Sequence, residues 1–123
     1  MPASPLIAIV DDDAGMRVSL DGLLRSLSYR TALFASAEAF LESVPAARSD
    51  CVITDVHMPG GMSGLDLVTV LAKRDPTVPV ILMSAFHQPQ DADRIQESGA
   101  RCILGKPFDD QTLIDCIEEA LAA

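Results

Sequence analysis

Three aspartates, a serine and a lysine in this sequence could together carry out phosphoryl chemistry. Asp11 and Asp12 follow one short apolar run, Asp55 and Ser84 follow two others, and Lys106 lies just beyond a fourth. Clustered carboxylates repel one another unless a cation offsets their charge, and a few hard oxygen ligands suit Mg²⁺ or Mn²⁺. A carboxylate can attack phosphorus to give an aspartyl-phosphate, while a hydroxyl and an ammonium stabilise the phosphoryl oxygens.

These side chains can meet only if the runs before them are neighbouring parallel strands. Short, continuous apolar runs are typical of strands buried on both faces of a parallel sheet. The second run is less apolar, which favours a place nearer the edge of the sheet. The predicted strands are residues 6–10, 30–35, 51–54, 78–83 and 102–104.

A helix is predicted after each strand. The first has apolar residues at positions 16, 20, 23, 24 and 27, which form one face. Asp13 and Ser36 are predicted N-caps, and Ser63 with Asp66 has the spacing of a capping box. The predicted fourth helix, 91–98, has a thin apolar face and ends at Gly99, and the last helix covers 113–121.

Five strand–helix units predict a single α/β domain over residues 1–123. Its parallel sheet would carry helices on both faces. Because ligands bind outside the carboxyl ends of such strands, the chemistry-bearing residues should converge on one edge of the sheet.

Composition excludes several classes of protein. With 49% apolar residues the chain has too much core material for a disordered acidic tail. A net charge of −9 argues against nucleic-acid binding, and no apolar stretch is long enough to span a membrane or serve as a secretory signal. The cysteines at positions 51, 102 and 116 show no metal-finger spacing, so we expect them to be small buried side chains in a reducing compartment.

Four motifs resemble those of response-regulator receiver domains in bacterial two-component signalling. They are residues 10–13 (VDDD), 54–59 (TDVHMP), 84–85 (SA) and 106–108 (KPF), in that order. The resemblance extends from Ile7 to Leu121 and is strongest to the receivers of FixJ/NarL-type regulators. It implies a flavodoxin-like (βα)5 three-layer sandwich with strand order 2-1-3-4-5.

The resemblance also implies a role for each site residue. Asp55 would be the phosphoacceptor, and Asp12 and Asp55 would bind Mg²⁺ (or Mn²⁺), with Asp11 helping through water. His57 would give the metal its backbone carbonyl. Ser84 and Lys106 would bind the phosphoryl group. The Lys106–Pro107 peptide bond would be cis.

Three positions depart from or vary within the family pattern. The loop after Pro59 is one residue longer than in many receivers and rich in glycine, which either only lengthens a turn or adds freedom beside the metal site. Ile103 replaces the Tyr or Phe of many receivers, so no aromatic ring can rotate there. Phe86, together with His57, either slows hydrolysis of the phosphoaspartate or is a loop residue with no kinetic role.

The implied protein is a stoichiometric phosphoacceptor in the bacterial cytoplasm rather than a turnover enzyme. Its partners would be a sensor histidine kinase or a phosphotransfer protein, and an output domain or protein reached through the fourth helix, fifth strand and fifth helix; phosphorylation could also drive a homodimer. Two alternatives stay open: a Mg²⁺-dependent phosphohydrolase of the haloacid-dehalogenase type acting through Asp11, and a non-phosphorylated interaction module. An FMN-binding flavodoxin is disfavoured because aromatic residues are few.

Overall fold

A computed structural model describes residues 4–43, 49–84, 93 and 97–122. Within them, five strands form one sheet in the order β2-β1-β3-β4-β5, and every neighbouring pair is parallel. The predicted fold class and strand order are therefore confirmed. The strands are β1 (Leu6–Val10), β2 (Arg30–Phe34), β3 (Cys51–Asp55), β4 (Val80–Ser84) and β5 (Cys102–Gly105).

Four helices lie within the described residues. They are α1 (Ala14–Ser26), α2 (Ala37–Leu41), α3 (Gly64–Arg74) and the C-terminal helix (Asp110–Ala122). Most of the predicted fourth helix, 91–98, lies outside the described residues, and so does Val44 of the predicted second helix. Strand β4 begins at Val80 rather than Val78, after Pro79, which has no backbone N–H to give to a sheet.

Alternate residues of each strand pack on opposite faces of the sheet. In β1, Ile7 and Ile9 join a core with α1 and the C-terminal helix, whereas Ala8 and Val10 join a core with α2 and α3. Every residue of β3 and β4 is buried, while β2 at the edge is only partly so. This three-layer packing brings the carboxyl ends of β1, β3, β4 and β5 to one edge.

Side-chain caps start the helices next to that edge. The Asp13 carboxylate accepts hydrogen bonds from the amides of Gly15 (2.8 Å) and Met16 (3.3 Å), which starts α1 directly after the aspartates. Ser63 and Asp66 form the predicted capping box at the start of α3. Each cap satisfies amides that have no partner inside the helix.

The cysteines differ from the expectation in one respect. Cys51 is a free, fully buried side chain in β3, as expected. Cys102 of β5 and Cys116 of the C-terminal helix instead form a disulfide, with their Cα atoms 6.1 Å apart. The expectation of three unpaired cysteines was wrong because packing of the helix on the sheet joins residues 14 positions apart.

No helix among the described residues is long and apolar enough to cross a membrane.

Gly64 packs its backbone directly against the end of β3. Its amide donates a hydrogen bond to the carbonyl oxygen of Val56 (3.0 Å). A Cβ atom at Gly64 would overlap the backbone carbonyl of Asp55, well inside van der Waals contact. Only glycine lets α3 begin this close to Asp55.

We therefore predict that Gly64→Ala destabilises the domain by ~2 kcal/mol or more, because the overlap is with backbone atoms that cannot move aside alone. The measurement is the free energy of unfolding in urea. Gly22→Ala is the matched control: nothing lies within 4 Å of its added Cβ, so the better helix former should stabilise α1 by roughly 0.5–1 kcal/mol. Equal stability of Gly64→Ala and wild type would contradict the packing argument.

Candidate functional site

Three carboxylates meet at the carboxyl edge of the sheet. Asp11 and Asp12 follow β1, and Asp55 is the last residue of β3, so neighbouring parallel strands place them together. One carboxylate oxygen from each lies within 4.8 Å of the others. Asp11 is fully buried, Asp55 is 8% exposed and Asp12 is exposed. Among these three aspartates, Asp12 is therefore the one that faces solvent.

Lys106 supplies the positive charge inside this cluster. Its Nζ atom lies 3.1 Å from Oδ2 of Asp55 and 3.3 Å from Oδ2 of Asp11. Its backbone amide donates to the carbonyl of Ser84 (2.7 Å), which fixes the end of β5 beside the end of β4. The Lys106–Pro107 peptide bond is cis, as the resemblance implied.

Asp11 is held from several directions. Its Oδ1 atom accepts a hydrogen bond from the amide of Asp13 (2.9 Å). The guanidinium of Arg17 donates to its backbone carbonyl (2.7 Å). Arg17 was not predicted as a site residue, although its place one turn into the helix that follows the aspartates is a signal in the sequence. Arg17 therefore positions the backbone of the acidic cluster from α1.

Burial and charge shift two pKa values in the site. Burial raises the pKa of Asp11, the Asp55 carboxylate adds to that effect, and the Asp13 amide and Lys106 oppose it. Burial lowers the pKa of Lys106, but its hydrogen bonds and attraction to Asp55 and Asp11 outweigh burial, so the net pKa is raised. The lysine therefore stays charged well above neutral pH.

The remaining predicted residues are Ser84, His57, Ile103 and Phe86, and their placements differ. Ser84 is buried at the end of β4, next to Gly105 in the register. His57 is exposed, and its amide donates to Oδ1 of Asp55 (3.3 Å). Ile103 is partly buried and packs into the core shared with α2 and α3. Phe86 lies outside the described residues.

Residues 7–118 match the family described as the response regulator receiver domain. The chain belongs to this family. The transcriptional regulatory protein FixJ of Bradyrhizobium diazoefficiens is 36% identical over 94% of this chain and 56% of its own length. FixJ of Azorhizobium caulinodans is 38% identical over 98% of the chain and 57% of its own length. The receiver spans about half the length of the curated relatives it matches.

Solved structures agree with this assignment. The response regulator StyR is 35% identical, with a TM-score of 0.86 over 98% of this chain and 60% of StyR. A signal receiver domain of an HD domain-containing protein from Pseudomonas fluorescens Pf-5 is 26% identical, with a TM-score of 0.90 over 99% of this chain and 90% of that domain. The fold and the family thus rest on independent comparisons.

The glycine-rich loop that follows Pro59 contacts α2. The amide of Met62 donates to Oε2 of Glu38 (2.7 Å). A Cβ atom at Gly61 would lie 2.7 Å from the same oxygen, so glycine there allows the carboxylate to approach. Asp12 lines the cleft between this loop and α2. Glu38 therefore anchors the loop that borders the acidic cluster.

Asp11→Asn should stabilise the metal-free receiver at neutral pH by roughly 1 kcal/mol, because it removes a buried charge and keeps an acceptor for the Asp13 amide. The folded-state pKa of Asp11 lies above its ordinary 3.8, so the native state binds more protons and loses stability as pH rises from 3.8 through the folded pKa. The advantage of Asp11→Asn should therefore disappear below pH 3.8. Urea unfolding in a chelator, followed against pH, tests this; a less stable variant at neutral pH would contradict it.

Glu38→Ala should cost about 1 kcal/mol of stability and speed hydrogen exchange at the Met62 amide, because that amide loses its acceptor. Glu38→Gln keeps an acceptor oxygen and should preserve protection. The measurement is residue-level hydrogen exchange by NMR. Unchanged protection at Met62 in Glu38→Ala would mean that the contact does not hold the loop.

Proposed function

We propose that this receiver accepts a phosphoryl group on Asp55. The observation that carries the proposal is the cluster of Asp11, Asp12 and Asp55 with the Lys106 ammonium 3.1 Å from Asp55. Asp55 combines a buried position with an exposed neighbour, Asp12, on the side that faces solvent. A donor can therefore approach Asp55 from that side without entering the core.

The proposed donor is a phosphohistidine of a sensor histidine kinase or of a phosphotransfer protein. A carboxylate oxygen of Asp55 attacks phosphorus, the phosphorus–nitrogen bond breaks, and the electron pair leaves with the imidazole. Lys106 then offsets the charge added to the carboxylate, and the Ser84 hydroxyl donates to a phosphoryl oxygen. Ser84 is the last residue of β4, which pairs with β3, and Lys106 follows β5, which pairs with β4. Both residues therefore lie at the edge of the sheet that carries Asp55, which supports these roles.

The residues fit a divalent cation of the Mg²⁺ or Mn²⁺ type. Their donor set is hard carboxylate oxygens, and the exposure of Asp12 leaves room for the waters that Mg²⁺ retains. We propose that Asp12 and Asp55 bind the ion directly, Asp11 through water, and His57 through its backbone carbonyl. When bound, the ion would neutralise charge that develops on the phosphoryl oxygens.

Burial argues against the phosphohydrolase alternative. Such an enzyme would act through Asp11, but that side chain is fully buried, with one oxygen held by the Asp13 amide and the other by Lys106. An interaction module without phosphorylation would have no need to keep this charged, partly buried constellation. The first observation favours a stoichiometric phosphoacceptor over a turnover enzyme, and the second favours it over an interaction module.

The partners and the output follow from this proposal. We propose that the domain, residues 1–123, works in the bacterial cytoplasm and does not itself bind nucleic acid, given its net charge of −9. Phosphorylation would change the surface formed by the predicted fourth helix, β5 and the C-terminal helix, where an output domain, a partner protein or a second receiver would bind. Phe86 and His57 would slow the approach of water to the phosphoaspartate.

We expect the receiver to gain one phosphoryl group when treated with a small phosphodonor and Mg²⁺, and Asp55→Asn to gain none, because the amide is a poor nucleophile. Intact-mass spectrometry measures the gain. Chelation of Mg²⁺ should abolish it.

Asp50→Asn is the matched control for this experiment. Asp50 lies at the opposite end of β3, where its carboxylate accepts a hydrogen bond from the Leu6 amide (2.8 Å), and asparagine keeps that acceptor. This variant should be phosphorylated like wild type. Phosphorylation of Asp55→Asn at the wild-type level would overturn the assignment.

A further inference from the structure

The Cys102–Cys116 disulfide joins two elements near the phosphoryl site and has no part in the chemistry proposed there. Cys102 is the first residue of β5, and Cys116 lies on the buried side of the C-terminal helix. Their Cα separation of 6.1 Å is within the range that a disulfide bridges without backbone movement. The closed loop contains Lys106, whose ammonium contacts Asp55 and Asp11.

The cysteines differ in how well a reagent could reach them. Cys102 is partly exposed, whereas Cys116 is 7% exposed and Cys51 is fully buried. Burial raises the pKa of Cys51 to about 12, so its thiol is not ionised at neutral pH. Only Cys102 is placed for attack on a reagent in solution, and Cys116 is the cysteine placed to react next.

We propose that Cys102 and Cys116 form a reversible redox modification site, oxidised by a low-molecular-weight disulfide, that ties the C-terminal helix to β5. This site is independent of phosphorylation. The tie acts on the strand that ends beside Lys106 and on a helix of the proposed output surface.

Two exchange steps complete the oxidation. The Cys102 thiolate attacks one sulfur of the reagent disulfide, so that a mixed disulfide forms and one reagent thiolate leaves. The Cys116 thiolate then attacks the Cys102 sulfur, forms the protein disulfide and releases the second reagent thiolate. The two cysteine protons pass to the two leaving thiolates. The protein loses two electrons and the reagent disulfide gains them.

The test uses the fully reduced full chain and oxidised glutathione. Wild type should lose two hydrogens by intact mass, retain one alkylatable cysteine after denaturation, and yield a peptide that joins residues 102 and 116. Addition of dithiothreitol should restore all three thiols. A cross-link to Cys51, or a lasting glutathione adduct with no internal disulfide, would overturn the proposal.

Matched variants separate the roles of the two cysteines. Cys116→Ser should accumulate one glutathione on Cys102, because no second thiol displaces it. Cys102→Ser should acquire none, because Cys116 and Cys51 are buried. An adduct on Cys116 in Cys102→Ser would overturn the order of attack.

Hydrogen exchange tests whether the disulfide restrains the C-terminal helix against β5. Amides of β5 and of the first turns of the C-terminal helix should exchange several-fold more slowly in the oxidised receiver than in the reduced one. Equal exchange rates in the oxidised and reduced receiver would overturn the proposal that the disulfide restrains these two elements. Asp55→Asn should form the disulfide like wild type, so a failure of this proposal is distinguishable from a failure of the phosphoacceptor proposal.

Discussion

The contact of one ammonium with two buried carboxylates is the interaction on which the site depends. Asp11 and Asp55 lie close enough to repel each other, and burial makes the charged form of Asp11 more costly. Lys106 offsets this repulsion from a side chain that is itself only 16% exposed. Without a cation between them, the repulsion between these two carboxylates would be uncompensated and would cost stability.

The parallel sheet makes that contact possible. Its strands all end at the same edge, and β1, β3 and β4 are buried on both sides, so the residues that follow them have little freedom of position. Short-range features then set the details. Asp13 starts α1 directly after the aspartates, and Gly64 lets α3 begin against the backbone of Asp55. A rigid scaffold thus holds polar groups that would otherwise separate.

Several features of the structure could not be predicted from the sequence. The disulfide depends on how the C-terminal helix lies on β5, and a spacing of 14 residues carries no signal for it. Glu38 contacts the glycine-rich loop across 24 residues, and Arg17 reaches back to a carbonyl of the acidic cluster. The sequence separations of these contacting residues do not match the period of a helix or a strand. Packing between elements, rather than local periodicity, brings the residues together.

By itself, the sequence determined the strand–helix alternation, the helix caps and the polar residues that follow each strand. Those features are local, because hydrophobic period and capping chemistry act within a few residues along the chain. Only the tertiary structure decided the burial of Asp11, the reach of Lys106 to two carboxylates and the pairing of Cys102 with Cys116. The distances between separate elements and the burial of their side chains are set when the helices pack on the sheet. No local sequence pattern records them.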